Sequence, residues 1–554
     1  MKEKIKKFFK GEVFDDDKTL ETYSRDASLF KVRPKLVVYP KSAHDLQTLV
    51  KWVSDHHVVD PTLSITLRAA GTDMSGGPLN DSIIADVSKH LNVVGDIKAE
   101  GTRLQPGVYY RDFEKRTLKK NLILPCYTAS KNLCALGGMI ANNCAGEKTL
   151  RYGKMENFVK SSKYIFSDGN EYHVKPLSKK ELEEKIAQGD FEGNLYKKTY
   201  HLLQDNQQLI QDAKPKVSKN SAGYYLWNVV NPEQSEGSYF DLNKLLTGAQ
   251  GTLGIMTEAT VSLVPVEKTS ELFVIFLHDL SHLAELINVI LPTKPDSIES
   301  YDDSTMKLAF RFFPEMLKSM HIKHFFSLIL SFIPEVFMML RGGIPKLILL
   351  VEYSGKNKWD VEGKIAKMTK VVAPFHLVSR KTISEEESSK YWTVRRESFN
   401  LLRKHVHGQR TAPFVDDVVV LPKDMPEFLP KMKAILDEYK MTYTIAGHAG
   451  NGNFHIIPLM KVNDRKNISA IMAVGEKVYD LVSQYKGSIT GEHNDGIVRT
   501  PYLGKMYSPE ILELFQEVKD IFDPKNIFNP GKKVPSTSSG QGGSLEYLEK
   551  HLDF

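Results

Sequence analysis

The stretch from Pro125 to Gly153, PCYTASKNLCALGGMIANNCAGEKTLRYG, constrains what this chain can fold into more than any other. Small residues dominate between Ala135 and Gly146. Gly137, Gly138, Gly146 and Gly153 stand within it, Gly107 lies upstream, and Asn142 and Asn143 are adjacent. Glycine lets backbone N–H groups come close to a ligand, because no Cβ intervenes. Successive amides in such turns make anion-binding nests, and a following helix N-terminus adds its positive end. Asparagine offers a donor and an acceptor to a flat heteroaromatic ring. The pattern points to a large group with a diphosphate and a polar ring, gripped mainly by main chain. The alternative at this point is a Gly-rich turn followed by a buried helix of small residues.

A second Gly-rich turn, AAGTDMSGGP at 69–78, follows a strand expected at 65–68. A third element, TGAQGTLGIMTEATVSLV at 247–264, passes from small residues into a β-branched strand ending at Pro265. None of the three reads G-x-G-x-x-G, and no G-x-x-x-x-G-K-[ST] is found, so Rossmann and P-loop sites lack their fingerprints. Three such elements together favour cofactor binding over a purely structural role.

At 554 residues the chain exceeds one ordinary core, and two or three domains are expected. Strands at 37–39, 65–68, 83–87 and 122–124 alternate with helices opening at Ser42 and Tyr109, an α/β rhythm to about residue 165. Strands at 272–277 and 346–353 and a helix at 281–290 belong to a second unit without Gly-rich turns. Ser508-Pro509 begins a helix running to about Phe522. The expected division is a charged lead-in at 1–30, a first domain at 31–266, a second at 267–505, a C-terminal helical segment at 506–532 and a flexible tail at 533–554.

Composition excludes several classes. Hydrophobic residues at 41% and charged residues at 26% suit a soluble globular protein. A net charge of +6 spread over this length, without a basic stripe, leaves no case for nucleic acid. Cys126, Cys134 and Cys144 are the only cysteines, which points to a reducing compartment and excludes a four-thiolate iron–sulfur cluster. MKEKIKKFFK lacks the apolar core of a secretory signal, so a cytoplasmic location is expected. The apolar run Phe325–Leu340 is too short to span a bilayer and is interrupted by Pro334 and Glu335. Flanked by Lys323, Arg341 and Lys346, it is the candidate for peripheral contact with the inner face of a membrane, though a packed helix pair is preferred.

The second informative region is GHAGNGNFH at 447–455. His448 and His455 flank a Gly/Asn loop that can aim both imidazoles into one pocket. Gly491-Glu492-His493 can join them if the chain turns there, since neighbours in a strand face opposite ways. Two imidazoles and a carboxylate make a metal set with an open position. The alternative is a pair of histidines bracing a Gly-rich loop.

RAAGTDMSGGPLN, QPGVYYRDFEKRTLKKNLILP, CALGGMIANNCAGEKTLRYG and GAQGTLGIMTEATVSLVP resemble the FAD-binding domain of the vanillyl-alcohol-oxidase (PCMH) type. More closely, the chain resembles the FAD-linked D-lactate dehydrogenase and glycolate oxidase subunit family over about residues 30–532. The resemblance implies an α+β fold: a two-subdomain FAD-binding domain, an α+β substrate/cap domain and a C-terminal helical segment. It implies that Gly71, Thr72, Ser75, Gly76 and Gly77 hold the diphosphate. Pro125, Gly137, Gly138, Asn142, Asn143, Gly146, Tyr152 and Gly153 would lie against diphosphate and flavin, and Gly251, Gly254 and Ile255 by the adenosine half. Gln250 stands where Glu is usual, and Ala135 where Thr is usual. The first turn has no histidine, so the FAD is expected to be non-covalent.

By position, His448, His455 and Glu492 would hold a metal such as Zn or Mn, with Asn451 in place of the usual Asp and Asn494 in place of the usual Gly. His493 would be the catalytic base. Arg395, in a Trp-x-x-Arg pattern, would grip the substrate carboxylate, with Arg396 as the less favoured neighbour. Relatives acting on D-2-hydroxyglutarate carry a Lys near Val415, which is absent here. The implied activity is oxidation of a small D-2-hydroxy acid, D-lactate first, with electrons passed to a quinone, cytochrome or electron-transfer protein. Alternatives are a glycolate or D-2-hydroxyglutarate dehydrogenase, an alkyl-glycerone-phosphate synthase-like enzyme and a non-catalytic flavoprotein subunit.

Overall fold

The computed structural model describes residues 1–234, 236–311, 343–382, 384, 387–396, 409–461, 464, 466–536 and 542–553. The apolar run at 325–340 lies outside these residues. Among the described residues, no helix is long and apolar enough to cross a membrane.

Two four-stranded sheets build the first domain. In one, Leu36–Tyr39 and Ile65–Arg68 lie parallel to Ile83–Asp86 on either side of it, and Glu12–Phe14 adds an antiparallel edge to Leu36–Tyr39. That edge strand comes from the lead-in, where sequence indicates only charge and partial helix. Leu46, Leu49, Val50 and Val53, on the inner face of helix Ala43–His56, join Ile65 and Ile83 in one apolar core. Ser42 caps this helix by accepting the Asp45 N–H. The other sheet is antiparallel, in the order Thr102–Leu104, Ile255–Val261, Val159–Ile165, Glu171–Val174. The first Gly-rich turn leaves the parallel strand Ile65–Arg68 and the third enters the antiparallel strand Ile255–Val261, while the second follows Leu122–Ile123, which pairs with Val264–Pro265 in a separate two-stranded sheet.

The second domain is an antiparallel sheet. Its order is Val378–Lys381, Thr269–Leu277, Leu347–Gly355, Ser297–Asp302, Thr442–His448, Asn453–Lys461, Gln409–Thr411, with Val418–Val419 also paired to Asn453–Lys461. Leu347–Gly355 is central and wholly buried, as its run of apolar residues requires. Helix Pro509–Phe522 then returns to the first domain, where Phe522 meets Phe166 edge to face. The tail does not follow its composition: Leu545–His551 is a helix with Leu548 buried. Burial of the apolar Leu548 side chain supports that helix.

Candidate functional site

Strands Thr442–His448 and Asn453–Lys461 run antiparallel, with Ala446 opposite His455 and His448 opposite Asn453. Opposed residues share a face of a sheet, and alternate residues return to it. His448 and His455 therefore face the same side, with ring centroids 5.2 Å apart. The turn between them depends on glycine. Gly452 has φ +67°, and a Cβ there would lie 1.8 Å from the Val420 carbonyl oxygen.

Glu492 and His493 sit in a turn rather than a strand, and Asp417 makes that turn. Its Oδ2 accepts the Glu492 N–H at 2.8 Å, the His493 N–H at 2.7 Å and the Thr490 hydroxyl at 2.7 Å. Asn494 follows with φ +68°, a region asparagine tolerates better than most residues. Its side-chain amide donates to Gly248 O at 2.8 Å, a bond that the glycine usual in the family could not make.

Glu492 Oε1 lies 3.4 Å from His448 Nε2, 3.3 Å from His455 Nε2 and 3.8 Å from His493 Nε2. Each ring has a carboxylate behind it. His448 Nδ1 is 2.5 Å from Glu299 Oε1, and His455 Nδ1 is 3.1 Å from Asp416 Oδ1. His493 Nδ1 is 2.8 Å from Asp416 Oδ2, an ionic contact too bent for a good hydrogen bond. A carboxylate at Nδ1 keeps the proton there and turns the Nε2 lone pair inward. The ligand atoms of His448, His455 and Glu492 lie within 4.8 Å of one another, as do those of Asp416, His455 and His493. Because Asp416 braces the backs of two rings, the first set is the better centre for an ion. Two imidazoles and one carboxylate suit Zn or Mn.

Wholly buried Lys219 closes the far side. Its Nζ lies 2.9 Å from Glu492 Oε2, 3.3 Å from Asn453 Oδ1 and 3.4 Å from Gly146 O, linking the cofactor turn to the histidine site. Arg395 Nη2 is 3.1 Å from Glu299 Oε2. Burial alone would raise the Glu492 carboxyl, but Lys219 and His448 hold it well below the usual carboxylate range. Burial pushes the His455 imidazole down, yet Asp416 and Glu492 outweigh it and push it up to about 10. Burial likewise opposes protonation of His493, and Asp417 and Asp416 reverse the sign.

The histidine site and the Gly-rich turns share one cavity of about 1000 Å³, at the upper end of the roughly 300–1,000 Å³ typical of ligand pockets. Gly71, Thr72, Gly77, Gly137, Gly138, Asn142, Gly146, Gly251 and Gly254 line it, with Arg395, Arg396, His448, His455, Glu492 and His493. A Cβ on Gly138 or Gly251 would meet no protein atom within 4 Å. Bare main chain at the wall of a long cavity fits a large dinucleotide. Ser75, Gly76, Pro125, Asn143, Tyr152, Gly153 and Ile255 are not on the lining. Ser75 and Asn143 shape their turns, Ser75 bonding Asp73 and Asn143 bonding Glu156. Ala135 precedes helix Leu136–Ala141 without a side-chain cap. Asn451 Nδ2 donates to Ser218 Oγ at 2.9 Å, so the loop keeps its shape with an amide.

Glu299, Asp416, Asp417 and Lys219 carry much of this arrangement and are not evident from sequence motifs. One signal existed: Asp416-Asp417 is a double acid inside the apolar run FVDDVVV, and buried carboxylates require partners. Glu299 and Lys219 lie in ordinary contexts.

A family model described as "FAD binding domain" matches residues 34–175, and one described as "FAD linked oxidases, C-terminal domain" matches residues 267–533. The chain is 26% identical over 541 residues to a D-2-hydroxyglutarate dehydrogenase of Pseudomonas putida, covering 96% of this chain and 51% of that protein. It therefore spans about half the length of that relative. It is 24% identical to a D-lactate dehydrogenase of Archaeoglobus fulgidus, covering 90% of this chain and 91% of that one. A solved alkyldihydroxyacetonephosphate synthase superposes with a TM-score of 0.65 at 15% identity, covering 96% of this chain and 84% of that one. At that identity the likeness shows the fold alone. The architecture is the α+β, PCMH-type FAD-binding fold.

Proposed function

Because the chain belongs to the FAD-linked oxidases, we propose that it oxidises a small D-2-hydroxy acid to the 2-oxo acid. The carrying observation is the convergence of Glu492 Oε1 with the Nε2 atoms of His448, His455 and His493 on the cavity wall that also presents Arg395.

FAD, when bound, supplies the acceptor for the hydride from the substrate carbon. A divalent ion on His448, His455 and Glu492 would supply a Lewis acid for the substrate hydroxyl. The chain's own residues do the rest. Arg395 pairs with the substrate carboxylate. His493 takes the hydroxyl proton at Nε2, while Asp416 stabilises the resulting imidazolium from behind Nδ1. Lys219 holds Glu492 through Oε2, so that Oε1 points at the histidines. Loss of a hydride and a proton leaves the 2-oxo acid, and two electrons pass on to a quinone, cytochrome or electron-transfer protein.

Two substrates remain ahead of glycolate. The name of the Pseudomonas putida relative favours D-2-hydroxyglutarate over the D-lactate expected from sequence. Val415, wholly buried and apolar where those dehydrogenases carry a lysine, favours a single carboxylate. The paired Glu492-His493 and Arg395 support a dehydrogenase over a synthase or a non-catalytic subunit.

Anaerobic bleaching of the flavin by a panel of D- and L-2-hydroxy acids tests the reading. Bleaching by one D-acid and not its L-isomer is expected. A yellow protein that no 2-hydroxy acid bleaches would overturn the activity, and a colourless one the cofactor.

A further inference from the structure

The end of the chain lies beyond the residues that match the family and takes no part in the chemistry proposed above. Ser544 caps helix Leu545–His551 by accepting the Tyr547 N–H. Leu548 and Leu552 turn inward, 2% and 9% exposed. The chain then runs along the loop that follows helix Asp17–Tyr23. Lys31 N–H donates to His551 O at 2.9 Å, Asp553 N–H donates to Leu29 O at 3.0 Å, and Phe30 pairs with Leu552. Arg25, Asp26, Ala27, Ser28 and Phe30 of that loop line the cofactor cavity.

Asp553 meets two arginines from different domains. Its carboxylate pairs with Arg25 of the first domain, which also has Glu21 at 3.9 Å. It also lies 3.1 Å from Arg410 Nη1 of the second. Arg410 donates to the main-chain oxygen of Asp553 as well, and from Nη2 to Ser28 O at 3.3 Å. Both arginines line the cavity and both remain partly exposed, so they stand where it opens to solvent. Burial and the charge of Arg25 both disfavour the Arg410 cation. An anion between the two guanidinium groups relieves both effects.

We propose that Arg25 and Arg410 form a carboxylate-binding site at the cavity mouth whose ligand is the chain's own Asp553, so that Ser544–Asp553 latches the two domains over the cofactor. The latch rests on the flavin reading for what it retains, but not for its own geometry. A carboxylate shared by two guanidiniums makes charge-assisted bonds that are individually modest at partial exposure. Its loss should loosen the cofactor without unfolding either domain.

The test uses the full chain with Asp553→Asn, Arg410→Gln and the double variant. Two readouts are followed: FAD release on dilution by fluorescence recovery, and hydrogen exchange of the Leu29, Lys31 and Asp553 amides. Each single variant should release FAD about three- to tenfold faster and exchange those amides faster. The double variant should lose less than the two single losses combined, because both remove the Arg410–Asp553 pair. Asp553→Glu should restore most of the retention. Wild-type release and exchange in both single variants, or additive losses in the double, would overturn the latch. If wild-type protein carries no flavin, the cofactor reading fails by itself. The exchange data then still decide the latch: faster exchange in Asp553→Asn upholds it, and unchanged exchange overturns it.

Discussion

Gln250 links the first two Gly-rich turns to Gly496. Its Nε2 lies 3.4 Å from Asp73 Oδ2, 3.4 Å from Ser75 Oγ and 3.3 Å from Asn142 Oδ1, and its Oε1 accepts the Gly496 N–H at 2.9 Å. A glutamate there would set a second carboxylate against Asp73. Gln250→Glu should weaken FAD binding by about tenfold, read as flavin fluorescence released at a fixed protein concentration. Asp26, near Asp73, has its Oδ2 buried with no hydrogen-bond partner. Burial and the Asp73 charge push its carboxyl up to about 7. A carboxyl raised on folding adds stability at pH below its unfolded value, near ~4, and loses that contribution as pH rises through about 7. Asp26→Asn should therefore melt higher than wild type above pH 7, with the difference shrinking below that and gone by about pH 4. A pH-independent difference in melting temperature would remove Asp26 from the account. If His493 is the base proposed above, His493→Ala should slow flavin reduction by about 10²–10⁴-fold with FAD retained. Arg395→Lys should mainly raise KM, because a point charge replaces the bidentate clamp while still neutralising Glu299. Single-turnover stopped flow separates the two; wild-type reduction in His493→Ala would take the base assignment away.

At the scale of elements, the hairpin formed by Thr442–His448 and Asn453–Lys461 is the unit on which the histidine site depends. The sequence shows two histidines seven apart around a Gly/Asn loop, and the pairing of Ala446 with His455 turns that spacing into one face. Gly452→Ala combines a left-handed φ with a Cβ 1.8 Å from Val420 O. It should cost about 1–3 kcal/mol and displace the hairpin. Bound metal, measured by elemental analysis, should fall while FAD stays, because the Gly-rich turns belong to other sheets. Retention of both metal and stability would show the turn to be tolerant. Helix Pro509–Phe522 was legible because Ser508-Pro509 is a local start signal and Asp523-Pro524 a local stop. Strand Glu12–Phe14 was not, because three residues of an edge strand owe their form to pairing with Leu36–Tyr39 rather than to their own propensity.

Across the whole molecule, the site joins both domains. Lys219 and Gly146 come from the first, Glu299, Asp416, His448, His455 and Glu492 from the second, and Nζ of Lys219 ties the two halves together. Dialysis against a chelator should abolish hydroxy-acid oxidation without releasing flavin, and Zn²⁺ or Mn²⁺ should restore it. Full activity in protein shown to be metal-free would leave His448 and His455 as structural groups. Acid denaturation should release the yellow chromophore into the supernatant, as non-covalent binding requires. Features written locally are legible from the order of residues alone. Glycine at positive φ, the cap residues of helices, and the His-Gly-Asn-His and Glu-His runs depend on backbone chemistry within a few residues. The tertiary structure alone decided which charges face one another: Glu299 behind His448, Asp416 behind His455 and His493, Lys219 on Glu492, and Asp553 between Arg25 and Arg410. Electrostatic partnership depends on distance and burial, and residues far apart in the chain acquire both only when the sheets have packed.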